Sequence, residues 1–142
     1  SDSALEYVDG ALVNPRYLGQ GKGRIKSMGT IRGFTPWDYL NDVKSGDIKL
    51  KEHSNFTGLI KMTQAGRLDA LYFNVLVSRH LLKQFKSDIK PVKFDDSLPH
   101  TRSHYHLSSI KHPDVIEQFN EFLIADATLV EELKSKYELV LK

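Results

Sequence analysis

The chain contains no cysteine. That absence excludes thiol nucleophiles, disulfides and cysteine-based zinc sites, and it leaves the redox compartment open. Charge of one sign is also lacking: 20 Lys and Arg stand against 18 Asp and Glu, interspersed along the sequence. No continuous basic surface for nucleic acid is encoded. No apolar run approaches the roughly 20 residues needed to cross a bilayer, and residues 1–14 lack the basic and apolar regions of a signal peptide. Internal repeats and low-complexity tracts are missing as well. What remains, 142 residues of which 40% are hydrophobic and 27% charged, is the composition of an ordinary globular domain.

The residues that are present form a succession of strand and helix signals. Residues 5–13 read as extended, and the Gly- and Lys-rich turn at 19–23 marks a boundary. Residues 24–28 read as a strand, followed by a helix with Thr35 at the N-cap, Pro36 at N1 and Asp38 at N3, stopped by Gly46. Residues 48–53 alternate as a second strand; Ser54 or Asn55 caps a helix carrying Leu59, Ile60 and Met62, and Gly66 ends it. A third strand begins at Asp69. The short connections imply parallel strands joined by right-handed crossovers, hence an α/β fold around a small, mostly parallel sheet. Beyond it lie a helix near 75–84, a strand over 89–94, a polar loop at 95–102 and an alternating segment at 103–110. Two helices close the chain. Pro113 opens the first, with Val115, Ile116, Phe119, Phe122 and Leu123 on one face. Thr128 and Glu131 form a capping box for the second, whose apolar stripe is Leu129, Val130, Leu133 and Tyr137.

Two phrases point to a ligand. Met28-Gly29-Thr30-Ile31-Arg32-Gly33-Phe34-Thr35-Pro36 follows an apolar strand and opens a helix, an arrangement that aims backbone N–H groups and the positive helix end at an anion. Ala65-Gly66-Arg67-Leu68-Asp69-Ala70-Leu71-Tyr72-Phe73-Asn74 delivers Tyr72 and Asn74 near a strand's carboxyl end, where ligands collect in open α/β sheets. Plainer roles compete. Gly29-Thr30 alone is compatible with a tight turn, and Asp69 suits a structural role, accepting backbone N–H bonds. Tyr72 is open between a core ring and a cleft-facing one, while Trp37 and Tyr39 suit packing. His100, His104, His106 and His112 fall in a short span without the helical i, i+4 pair of a zinc site, so no metal is inferred. Ser108 and Ser109 near His106 and His112 lack a nucleophile elbow. Gly19, Gly21 and Gly23 precede the strand instead of following it, which rejects a dinucleotide loop.

With these residues in view, the chain resembles the type 2 periplasmic solute-binding proteins that serve bacterial ABC transporters (extracellular solute-binding proteins, family 3). The carriers are Leu5-Glu6-Tyr7 to Val13, Gly29-Thr30, Gly66-Arg67-Leu68-Asp69-Ala70, and the tail from His104-Tyr105-His106-Leu107 through Lys111-His112-Pro113 to Phe119-Asn120 and Lys136-Tyr137. The resemblance implies a periplasmic-binding-protein-like lobe with two C-terminal helices, divided as follows: residues 1–23 a crossing strand and linker from a missing first lobe, 24–102 the second lobe, and 103–142 the return crossing and closing helices. It implies a ligand site made by Thr30, the amides near Ile31 to Gly33, Arg32, Tyr72 and Asn74. Asn74 stands where amino-acid binders usually carry an aspartate for the ammonium group, and a neutral amide favours a ligand without that cation.

The implied function is binding of a small polar or anionic, carboxylate-bearing solute in an inter-lobe cleft for ABC-type uptake, with no catalysis, no cofactor and no nucleic acid. A membrane permease would be the partner, the location periplasmic or extracellular, and the hinge the crossings at 5–13 and 103–110. The same module occurs as an extracellular sensor of membrane signalling proteins, and some relatives are dehydratases, for which Glu52 is the candidate acid or base. Without a first lobe, the apolar tail helices are expected to self-associate.

Overall fold

The computed structural model describes residues 1–85 and 92–140. It divides into two compact units, one of residues 8–101 and one of residues 1–7 with 102–142. In chain order the elements are β1 (Ser3–Val13), β2 (Ser27–Ile31), a 3₁₀ turn (Trp37–Tyr39), α1 (Leu40–Ser45), β3 (Lys49–His53), α2 (Phe56–Gln64), β4 (Ala70–Asn74), α3 (Val75–Leu82), β5 (Lys93–Phe94), β6 (Thr101–His106), α4 (Pro113–Ala125) and α5 (Ala127–Lys136). Among the described residues no helix is long and apolar enough to cross a membrane.

In the unit of residues 8–101 the strand order is β3-β2-β4-β1-β5. β2 lies parallel to both β3 and β4, as the two crossovers require, and β1 runs antiparallel to β4. Alternation along the strands splits the core in two. On one face Ala11, Val13, Met28, Ala70 and Tyr72 pack with Ile25, Tyr39 and Ile48; on the other Leu12 and Leu71 pack with Phe56, Leu59, Ile60 and Leu68. Asp69 has the structural role expected of it: its Oδ2 accepts the N–H groups of Lys26 (2.8 Å) and Ser27 (3.0 Å), tying the start of β4 to the start of β2.

Stop and cap signals translate directly where they act locally. Gly46 takes a left-handed φ of 86° and donates to Val43 O, and Asn55 Oδ1 accepts from Gly58 N at 2.8 Å to cap α2. Other expectations are corrected. Residues 22–24 form a 3₁₀ turn, with Ile25 N donating to Lys22 O, so β2 starts at Ser27 and reaches Ile31. Gly29 is therefore a strand residue, not a turn glycine; an added Cβ would meet Leu68 Cδ1 at 2.5 Å and Leu59 Cδ2 at 2.6 Å. The helix expected from Thr35 does not begin there. Pro36, at φ −80° and ψ 74°, stands at the cap of the 3₁₀ turn, and α1 is a six-residue helix starting at Leu40. Of the two aromatics there, Tyr39 is fully buried but Trp37 is 62% exposed. α3 ends at Leu82, β5 is confined to two residues, and the part of the expected strand at 89–91 lies outside the described residues.

β6 starts at Thr101, the last residue of the unit of residues 8–101, and ends at His106, so 107–110 is not strand. Glu6 pairs with Arg102 at 3.1 Å and the Tyr7 and Tyr105 rings stand 4.5 Å apart. The expected capping box is absent from α5: Asp126 occupies the cap position without a side-chain bond, and Glu131 instead pairs with Lys134. The cause is the junction, because Asp126 N donates to Phe122 O while Asp126 O accepts from Val130 N. α4 and α5 adjoin across one residue, leaving Thr128 inside the helix. Neither helix has a fully buried residue.

Candidate functional site

Three parallel strands end on one edge of the sheet, and the side chains that follow form a polar rim. Thr30 is completely buried near the end of β2, its hydroxyl donating to Tyr72 O at 3.1 Å. That bond fixes the loop's departure from the sheet. Ile31 packs against the second core cluster. Arg32 sends its N–H to His53 O at 3.0 Å, and the residue itself is exposed. Gly33, at φ 84°, is the left-handed residue that turns the chain, with Phe34 N closing onto Ile31 O. Its own N–H faces outward and donates to Glu52 Oε1 at 3.4 Å. An exposed backbone donor beside an exposed arginine thus already faces a carboxylate. Helix-dipole assistance at this loop is slight, since the following α-helix begins seven residues later and has six residues.

The second phrase supplies a deeper set of groups. The Tyr72 ring is fully buried, 5.7 Å from the Tyr39 ring, so only its hydroxyl reaches the rim. It donates to Asp38 Oδ2 at 2.5 Å, and Thr101 Oγ1 donates to Asp38 Oδ1 at 2.8 Å. Burial pushes the Tyr72 phenol well above its ordinary pKa, and the acceptor Asp38 adds to that shift. Asn74, also buried, caps α3 by accepting from Val77 N at 3.0 Å. It stands opposite Asp9 of β1 in the antiparallel register.

Asp9, Asp38 and Thr101 were not apparent as site residues in the sequence. Asp9 is 7% exposed, and its Oδ1 has no hydrogen-bond partner. Burial raises its carboxyl pKa, a hydrogen bond from Asn74 opposes that shift, and the charge of Asp38 adds to it. The Tyr39 hydroxyl is buried without a partner too, its pKa raised by burial and then by Asp38, Asp42 and Asp95. One signal pointed to Asp9: it is in phase with Ala11 and Val13, which line the buried face, and an aspartate on such a face calls for an explanation. Among the described residues no group of three or more His, Cys, Asp or Glu is placed to hold a metal ion.

No protein-family sequence model and no curated protein sequence matches the chain. Solved structures do match its fold. The GluR0 ligand-binding core in complex with L-glutamate superposes with a TM-score of 0.71 at 15% identity, over 99% of this chain and 63% of that one. An ancestral arginine-binding protein bound to arginine gives 0.65 at 19%, over 96% and 62%. The second substrate-binding domain of Lactococcus lactis GlnP, in its open conformation, gives 0.60 at 20%, over 96% and 60%. The fold is therefore that of a periplasmic-binding-protein-like lobe. The chain spans about three-fifths of the length of the structures it matches.

Proposed function

We propose that this chain is a solute-binding lobe that takes a small polar solute, with an anionic group held at the β2 edge, for delivery to a membrane permease of the ABC type. The observation that carries the reading is the Gly33 N–H, which donates to the Glu52 carboxylate at the edge of the sheet where ligands collect in open α/β folds, beside the exposed Arg32. A solute carboxylate would displace Glu52 and add a charge-assisted bond from Arg32. In this proposal Thr30 and Ile31 shape the loop, while Tyr72 and Asn74 position the neighbouring wall. Glu52 then serves as the site's internal placeholder and not as a catalytic acid, and the activity is binding without chemistry. A companion lobe closing over the solute through a hinge would complete its burial, and in this proposal the protein works in the periplasm or outside the cell. The neighbours' own ligands, L-glutamate and arginine, agree with a small polar solute. An extracellular sensor built on the same lobe is the second reading; the GluR0 ligand-binding core among the neighbours favours keeping it.

A titration of the ¹⁵N-labelled chain with acetate, succinate, glucose and glycerol, followed by amide resonances, tests the proposal. The carboxylates should move Gly33 and Arg32, and Arg32→Ala should weaken them by roughly tenfold, the worth of one charge-assisted hydrogen bond. Carboxylates that leave Gly33 unmoved, or that act equally on the Arg32→Ala variant, would refute it.

A further inference from the structure

We propose that His53 is a positioning residue for the Gly33 loop and that a proton on its ring releases the solute's anionic group; the inference rests on the solute-binding reading and adds to it a means of regulation. The last two residues of β3 hold both N–H groups that open the loop. Glu52 takes Gly33 N on its side chain, and His53, paired with Ile31 at the end of the parallel ladder, takes Arg32 N on its carbonyl at 3.0 Å. Once a solute carboxylate replaces Glu52, the bond to His53 O is, among the described residues, the tie between this loop and β3 that remains. The ring decides where that carbonyl stands. Its Nδ1 accepts the backbone N–H of Asn55 at 3.1 Å, and Asn55 in turn caps α2 through Gly58 N. A backbone N–H can only donate, so this geometry requires Nδ1 without a proton and puts the hydrogen of the neutral ring on Nε2. Gly58 supplies the seat: a Cβ there would overlap the Cε1, Nε2 and Nδ1 atoms of the ring. Glycine weakens a helix, and its presence in the first turn of α2 is accounted for by the imidazole lying against it.

Protonation undoes this clamp from within. Nδ1 then carries a hydrogen and faces the Asn55 donor, and the new positive charge stands at the positive end of a nine-residue helix. No acid is on hand to offset it. Lys51 shares the ring's face of β3 while Glu52 points to the other; β2 has no ionisable side chain, Arg32 follows it, and Lys61 is the one ionisable residue of α2. Among the described residues no ion pair involves His53. The ring must therefore leave its seat as it charges, and the carbonyl that it steadies goes with it. Histidine is the side chain whose charge ordinarily changes between about pH 5 and 8, so mildly acid surroundings become a signal to let the anion go.

The test is a titration of the ¹⁵N-labelled chain from about pH 8 to about pH 5, without and with acetate, beside His53→Asn, a change that keeps an acceptor at the δ position and removes the titration. In the wild type without acetate, the Asn55, Arg32 and Gly33 amides should move together with the imidazole nitrogens of His53, which should report the Nε2–H tautomer at the upper end. Acetate should bind about three- to tenfold more weakly after protonation, the worth of one neutral hydrogen bond. That loss should be absent from His53→Asn, which keeps every carboxylate. Gly58→Ala, by unseating the ring, should bind acetate weakly at both ends of the range. An Nδ1–H tautomer in the neutral ring, or Arg32 and Gly33 amides that ignore the His53 titration while acetate still moves Gly33, would overturn the proposal and leave the solute-binding reading standing. An equal loss of acetate affinity in wild type and His53→Asn would overturn it as well, assigning the pH dependence to the carboxylates. Acetate that moves Gly33 at no pH would bring down both.

Discussion

Replacing Asn74 by aspartate probes the electrostatics of the rim more sharply than a deletion. The helix cap survives, because a carboxylate oxygen accepts from Val77 N as the amide oxygen does, and a negative charge at the N-terminus of α3 adds about 0.5 kcal/mol. Two losses oppose this. The amide's hydrogen bond to Asp9 disappears, worth about 1.5 kcal/mol for a charged acceptor. In addition, directly opposed residues on antiparallel strands have Cβ atoms about 5 Å apart, and two like charges at that separation repel by about 3 kcal/mol at an effective dielectric near 20. Asn74→Asp should therefore destabilise the fold by about 4 kcal/mol at pH 7.5. The sign with pH follows from proton counting. Asp9 already titrates above the ordinary aspartate value of 3.8, and a facing carboxylate raises the pair further, so the folded variant holds a proton at pH values where the unfolded chain has released it. Its stability relative to wild type must rise as pH falls from neutral toward about 4 and be lost as pH rises again. Urea unfolding followed by far-UV circular dichroism at pH 7.5 and 4.5 measures both quantities. Equal stability at pH 7.5, or a deficit that does not change with pH, would show that the two side chains do not share one buried environment.

Three further outcomes are expected. Asp69→Ala removes a carboxylate oxygen that takes two backbone N–H groups; it should cost about 2–3 kcal/mol in urea unfolding while leaving the acetate response of Gly33 in place. Gly29→Ala places a methyl group against Leu68 and Leu59 and should cost about 1–3 kcal/mol by overpacking, read as a lower thermal midpoint. The exposed apolar side chains Ile124, Leu129, Leu133 and Tyr137 are expected to drive self-association, so sedimentation at high micromolar concentration should show a dimer that Ile124→Glu with Leu133→Glu returns to monomer.

Local chemistry made much of the fold legible. The left-handed glycines at 46 and 66, the Asn55 cap and the paired crossovers depend on neighbours within a few residues, and the parallel order of β2, β3 and β4 follows from short connections. Elements decided by competition between neighbours were less legible. Pro36 stands in a non-helical conformation where Thr35 looked like a cap, and the close junction at Asp126 absorbs the apparent capping box. The rim was read in half. Arg32, Gly33, Tyr72 and Asn74 follow from strand ends, but Asp9 meets a residue 65 positions further on, Asn74, and Asp38 one 63 positions further on, Thr101. Those pairings depend on strand register and loop return, which no short phrase encodes.

The position of Trp37 gives the molecule an optical property. It is the chain's single tryptophan, it lies four residues beyond Gly33, and it is 62% exposed. Unfolding changes the surroundings of such an indole little, whereas any group settling on the adjacent loop changes them directly. Its emission should therefore be nearly silent to denaturation and responsive to occupancy, making the unlabelled chain its own fluorescent indicator.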